Sequence, residues 1–378
     1  MRVQIVDPSA QTPPFDRALA AALARAGADV ELVTSSFIHG EVAEPSGYAV
    51  DESFYRRSSR MPSGTIRRRA LGMAEHVPGM LRARRRAAGA DVVHYQWITL
   101  PGIDASLLPK SPAKVWTAHG FLRGSGSTGP GGLKASLRAL ERMDAVVALS
   151  EYGSERLAEA GIAREKIHVI PHGAFDYLTD LPERPLPPEL EGATGPVILL
   201  FGLIRPYKGA DVLLRAFSEM DVEGAEVWIA GRPFGVDMDE LRKQAESIGG
   251  TVRFVDRFVS DSEVPALMRR ADVVTLPYRD AEQSGVLFTA LAFGKAIVAT
   301  DVGGFPEVAA SGNGQTMRLV PPGDHSALAE ALTAVISEPA ERARLEAAAT
   351  AAAAGPYSWD SIAAQTLSLY GRLAEGGG

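Results

Sequence analysis

The chain has 378 residues, 46% apolar and 22% charged, with a net charge of −7. That length suits two domains, and the acidic balance excludes a nucleic-acid binder, whose electrostatic footprint is basic. The absence of cysteine excludes disulfides, thiolate metal sites and cysteine nucleophiles.

The N-terminus, MRVQIVDPSAQ, breaks its apolar run at Asp7 and Pro8, so it reads as a first strand (Val3, Ile5, Val6) rather than a signal peptide. No apolar run approaches the roughly 20 residues that span a bilayer, and a cytoplasmic location is expected. Phe15, Leu19, Leu23 and Ala26 then fall on one helical face. Gly27 stops that helix, and Val30, Leu32 and Val33 form a second strand. A βαβ opening implies a parallel sheet with right-handed crossovers. Between Arg56 and Arg86 lie ten arginines against one acid, Glu75, with Leu71, Met73, Val77, Met80 and Leu81 interspersed. This stretch reads as a solvated basic face. Peripheral contact with an anionic membrane and binding of an anionic acceptor are the other two uses of such a pattern. Further strands are expected at Val92 to His94, Val115 to Thr117, Ala145 to Leu149 and Ile167 to Ile170.

The segment DLPERPLPPELEGATGP, 180 to 196, has linker composition. A second alternating series follows: Val197 to Phe201, Val227 to Ala230, Val252 to Val255, Val273 to Leu276 and Ile297 to Ala299. The expected division is therefore a first domain over 1–180, a linker over 181–195 and a second domain over 196–355. A helix over 356–378 would end the chain, and the Ala-rich run before it, 346 to 354, is helix-prone. Two α/β units in series imply a cleft, with ligands at the carboxyl ends of strands.

Three segments could carry chemistry. Phe201-Gly202-Leu-Ile-Arg205-Pro-Tyr-Lys208-Gly209 follows a strand and precedes a helix. A helix start favours phosphate, Arg205 offers a planar fork and Lys208 a compact cation. The alternative is an ordinary strand-helix turn with surface cations. Gln283-Ser284-Gly285-Val286 opens another helix, with Ser284 suited to the N-cap and the Gly285 and Val286 amides as free donors. The alternative is a capped helix and nothing more. His119, in Trp116-Thr-Ala-His119-Gly120, ends a first-domain strand, where it serves a ligand or only its own loop. His94, His168 and His172 occupy comparable positions. No His, Asp and Glu grouping has metal-ligand spacing.

Together these segments resemble the large retaining glycosyltransferase family four, which has the GT-B fold. The residues carrying the resemblance are FGLIRPYKGADVLLRAF, VWIAGRP, FVDRFVSDSEVPALMRRADVVTLPYR and QSGVLFTALAFGKAIVATDVGGFPE, with PPGD at 321 to 324 and Tyr357-Ser-Trp359-Asp360. PPFDRALAAALARAGADVELVT and Thr-Ala-His119 match more loosely. The resemblance implies two Rossmann-like domains with parallel sheets facing across a cleft, and a C-terminal helix packing back on the first domain. It implies transfer from a nucleotide-diphosphate sugar, UDP-sugar favoured over GDP-sugar, to an acceptor hydroxyl with retention. No metal and no cofactor are implied. Acceptors in such a family are small molecules, saccharides or lipid-linked.

By resemblance, Arg205 and Lys208 bind the donor diphosphate and His119 contacts the transferring sugar. Gly285 and Val286 offer backbone amides to the diphosphate or sugar, Gly202 lets the backbone approach closely, and Arg232 and Phe258 face the nucleoside. The family's paired donor-loop glutamates should fall near Ala281 and at Thr289. Here Glu282 stands one position off and Thr289 replaces the second, so Glu282, Gln283, Ser284 and Thr289 are the donor-loop candidates. The family's Gly-rich first loop is Pro8-Ser-Ala-Gln-Thr-Pro-Pro14. An epimerase or phosphorylase of the same architecture, or a non-catalytic partner protein, are the competing readings.

Overall fold

Alternation of β-rich runs with amphipathic helices builds two α/β units. The computed structural model describes residues 1–38, 40–62, 65–120, 130–312 and 315–375, with backbone alone at 130–133. One unit is Met1–His172 with Trp359–Gly378; the other is Gly173–Ser358.

In the first unit the order is β1 (Arg2–Asp7), α1 (Pro13–Arg25), β2 (Asp29–Ser35), β3 (Ala49–Phe54), α2 (Ile66–Ala87) and β4 (Val92–Tyr95). Then come α3 (Pro101–Leu107), β5 (Ala113–Ala118), α4 (Pro130–Glu141), β6 (Ala145–Ala148), α5 (Glu151–Glu159) and β7 (Ile167–Val169). All seven strands pair in parallel in the order β3-β2-β1-β4-β5-β6-β7. Val3 sits opposite Val30 on one side and Val92 on the other. The runs in β1, β4, β5 and β6 are buried on both faces, as a parallel sheet covered by helices requires. Phe15, Leu19 and Leu23 form the buried stripe of α1. Ala26, expected on that stripe, is instead the exposed C-cap, because the helix ends one residue before it. β3 has no counterpart in the sequence reading: it is an edge strand whose Asp51 and Glu52 hide its periodicity.

The second unit runs β8 (Val197–Phe201), α6 (Ala210–Glu219), β9 (Glu226–Ala230), α7 (Met238–Glu246), β10 (Thr251–Val255), α8 (Val264–Arg270) and β11 (Val273–Leu276). It continues with α9 (Gly285–Ala292), β12 (Ala296–Thr300), α10 (Phe305–Ala309), β13 (Arg318–Val320), α11 (His325–Ser337) and α12 (Pro339–Ala354). The sheet order is β10-β9-β8-β11-β12-β13, again parallel. β13 was missed because three residues carry no period. Residues 181–195, whose composition reads as a linker, belong to this unit. Arg269 pairs with Glu183, and Arg270 donates to the Ala193 and Gly195 carbonyls. Those bonds satisfy backbone that a free linker would leave to water.

The chain ends with α13 (Trp359–Glu375), which is part of the first unit and buries Trp359, Ile362, Leu369 and Tyr370. Trp359 meets Phe15 edge-on at 5.2 Å, and Arg25 pairs with Asp360.

Candidate active site

Each sheet reverses its strand order once, between β1 and β4 and between β8 and β11. At such a point adjacent crossovers go to opposite faces and leave a crevice beyond the strand ends. In the second unit the turn after β8 and the loop after β11 flank that crevice.

The turn begins at Gly202, with φ +90°, a conformation that disfavours any Cβ. A Cβ there would lie 2.9 Å from Val286 Cγ2 and 3.1 Å from Lys208 Nζ. Hence Gly202, Lys208 and Val286 converge. Lys208 is 6% exposed. Its Nζ sits 5.2 Å from the centre of the Tyr278 ring, and among the described residues it has no carboxylate partner. Burial, with Arg205 nearby, lowers its pKa to about 8. Arg205 is half-buried, its guanidinium 4.6 Å from the centre of the Phe234 ring, and it too has no carboxylate partner among the described residues. The two cations are thus held together without a counter-charge.

The second half of the site is the start of α9. Ser284 occupies the N-cap, but its hydroxyl makes no capping bond. It lies instead 3.3 Å from Tyr278 Oη, so the helix-end amides are not consumed by the side chain expected to cap them. Gly285 is exposed and Val286 buried. Thr289 donates to the Gly285 carbonyl at 2.9 Å and is 4% exposed. Its only proton is spent on its own helix, so its role as a donor contact is reduced to acceptance. Glu282 and Gln283 are half-buried on the loop, and the Glu282 carbonyl accepts from Gly304 N–H.

Arg232 and Phe258 are exposed. The Arg232 carbonyl accepts from Ile204 N–H at 2.9 Å, which fixes its backbone beside the turn. Among the described residues no hydrogen bond, ion pair or ring contact joins Phe258 to the other candidates. Sequence reasoning missed Arg279. Its guanidinium grips both Asp211 oxygens, at 2.9 and 2.6 Å, and the Pro206 carbonyl, while its amide donates to Tyr207. This clasp locks the 205–209 turn onto the end of β11. Its partners lie 68 residues apart in sequence, beyond any local signal.

In the first unit His119 is half-buried. Its Nε2 is 2.9 Å from Gln96 Oε1, its ring stacks on Trp97 at 5.4 Å, and Phe15 meets it edge-on at 4.6 Å. Burial, then His172 and His94, hold its pKa well below the usual histidine value, so the imidazole is neutral. His94 is a core residue bonded to Tyr370 and Thr117. His172 packs between Phe15 and Trp359, and His168 lies in β7. The arginine-rich stretch is mostly α2, which buries His76, Gly79, Met80 and Ala83. Among the described residues no group of acids and histidines is placed to hold a metal, and no helix is long and apolar enough to cross a membrane.

Two family models match the chain. Residues 195–338 match "Glycosyl transferases group 1" and residues 17–174 match "Glycosyltransferase Family 4". A phosphatidyl-myo-inositol mannosyltransferase from Mycolicibacterium smegmatis is 35% identical over 190 residues, 50% of this chain and 47% of that protein. The chain thus spans about half the length of the first curated relatives it matches. A D-inositol 3-phosphate glycosyltransferase from Xylanimonas cellulosilytica is 29% identical over 94% of this chain and 90% of that one. Among solved structures, a sucrose-phosphate synthase from Thermosynechococcus elongatus gives a TM-score of 0.72 at 18% identity over the whole of both chains. Anabaena HepE in complex with UDP-glucose gives 0.72 at 20% identity over 98% of this chain and 100% of that one. With both halves matched in order and the sheets wound as described, the chain belongs to glycosyltransferase family four and has the GT-B fold.

Proposed function

We propose that the chain is a retaining glycosyltransferase. It would move a hexosyl group from a nucleotide-diphosphate sugar, a UDP-sugar in preference to a GDP-sugar, to an acceptor hydroxyl. The observation that carries this reading is the buried Lys208 ammonium. With no carboxylate partner among the described residues, it is placed to take an anion at the point where Gly202, Val286 and the start of α9 meet. A diphosphate supplies that anion, and the α9 amides and Arg205 share the load. The mannosyl- and inositol-phosphate-glycosyltransferase relatives and the UDP-glucose complex of HepE support the donor class.

In the reaction the bond from the anomeric carbon to the diphosphate oxygen breaks, and the acceptor oxygen bonds to that carbon on the same face. The acceptor proton passes to the departing phosphate oxygen, so no protein base is required. Charge grows on the leaving group, and prearranged cations and amides stabilise it more in the transition state than in the ground state. His119, neutral and braced by Gln96 and Trp97, would hold a hydroxyl of the transferring sugar. Two side-chain cations and a helix end stand in for a divalent metal.

A thermal-shift screen with UDP-, GDP-, ADP- and TDP-sugars, run with chelator and with added magnesium, tests this. A UDP-sugar should raise the melting temperature equally in both, because a ligand that binds only the folded state stabilises it. No shift by any nucleotide sugar, or a strict need for metal, would rule the reading out.

A further inference from the structure

The first unit holds a second cavity, of about 530 Å³, at the carboxyl ends of β1, β2 and β3. Ser9, Ser35, Ser36, Tyr55, Arg68 and Arg69 line it. Four observations mark it as built for a ligand. Among the described residues only Ala10 and Tyr55 are non-glycine residues with positive φ, both at +48°, and both line this cavity. Backbone held in so sparse a region concentrates at binding and active sites.

Next, Tyr55 belongs to a buried relay. Its hydroxyl is 2.6 Å from His76 Nδ1, and His76 Nε2 is 2.5 Å from Asp104 Oδ1. His76 and Asp104 are 0% and 1% exposed. His76 thus ties the Tyr55 hydroxyl to the buried Asp104 carboxylate. The phenol is thereby fixed at the cavity wall, and burial raises its pKa so that it stays protonated.

The third is electrostatic. Arg67, Arg68 and Arg69 sit in the first turn of α2, which holds no acid. A helix start carries partial positive charge and favours anions, so cations there repel it. Among the described residues neither Arg68 nor Arg69 has a carboxylate partner, and the Arg68 guanidinium donates to the Met61 carbonyl. A bound anion would relieve that conflict. Finally, the nearby acid Glu75 is already occupied by the Arg57 and Ser58 amides and the Ser58 hydroxyl.

We propose that this cavity binds a phosphorylated sugar or polyol, with Arg68 and Arg69 on the phosphate and Tyr55 hydrogen-bonded to a ligand hydroxyl. The proposal relies on the glycosyl-transfer reading only in naming this ligand the acceptor. The same chemistry is presented by a free sugar phosphate or by a phosphorylated polyol headgroup on a lipid.

Calorimetry on the full chain tests it with glucose 6-phosphate, glucose and inorganic phosphate. Glucose 6-phosphate should give saturable heat, phosphate should compete, and glucose should give none. The double variant R68A/R69A should weaken binding at least about tenfold, the scale of charge-assisted bonds to phosphate. Tyr55→Phe should weaken it about three- to tenfold, the scale of one neutral bond. UDP binding should be unchanged in all of them. Vesicles of phosphatidylcholine with phosphatidylglycerol form the second arm. Binding that R68A/R69A abolishes and glucose 6-phosphate displaces identifies a lipid source and supports the site. Vesicle binding that glucose 6-phosphate does not displace overturns it, as does the lack of saturable binding of any phosphorylated probe. If UDP binds while those probes fail, only the acceptor proposal falls. If UDP fails too, the transfer reading falls with it.

Discussion

Lys208→Met is expected to lower turnover about 10²–10³-fold, the usual cost of one transition-state charge donor, while making the unliganded protein more stable. Both effects have one cause. The ammonium is 6% exposed and has no carboxylate partner among the described residues, so the empty fold bears its desolvation. Burial lowers its pKa from 10.5 to about 8, a shift of about 3 kcal/mol at 1.36 kcal/mol per unit. Between about pH 8 and 10.5 the folded state holds fewer protons here than the unfolded chain, so this residue makes stability rise with pH across that window. Below it the full penalty applies. At pH 7 the methionine variant should gain up to about 3 kcal/mol, and the gain should shrink towards pH 10.5. Denaturant midpoints at several pH values measure this. Nucleotide release from the most stabilising donor sugar measures turnover. Arg205→Ala should lose turnover on the same scale but shift stability little, because its half-buried guanidinium rests on Phe234. A variant at Lys208 that is less stable at pH 7 and binds UDP normally would refute the assignment.

Gly303→Ala should destabilise the protein by about 3–5 kcal/mol, at the upper end for single substitutions. Its φ is +55°, and a Cβ built there would overlap the Ala281 carbonyl oxygen. That carbonyl precedes Glu282 and Gln283, and Gly304 N–H donates to the Glu282 carbonyl. The backbone of one loop therefore rests directly on the glycine, with no flexible side chain to give way. The loss should appear as a fall of about 10 °C in melting temperature, at roughly 2–4 °C per kcal/mol. Donor affinity should fall as well, because the displaced loop leads into α9. Gly312→Ala is the control: its φ is also positive, but a Cβ there meets nothing, so it should cost about 1 kcal/mol, the left-handed penalty alone. Equal losses in the two variants would show that contact with the Ala281 carbonyl is not the cause.

The sequence by itself determined the repeating βα pattern, the absence of thiol chemistry and the two strand-helix turns able to face a phosphate. These are local properties: apolar period, Gly and Pro punctuation, and helix starts are written within a few residues. It missed β3 and β13 because an acidic edge strand and a three-residue strand carry no period. It put Ser284 at the N-cap, where the structure has it, but gave no sign that the hydroxyl faces Tyr278 instead of capping the helix. Only the tertiary structure decided that β11 lies beside β8. That adjacency brings Val286 to Gly202 and leaves Lys208 buried against Tyr278. It also produced the Arg279–Asp211 clasp and the Tyr55–His76–Asp104 relay. Those partners stand tens of residues apart, and long-range pairing follows from how whole strands stack rather than from any residue's near neighbours.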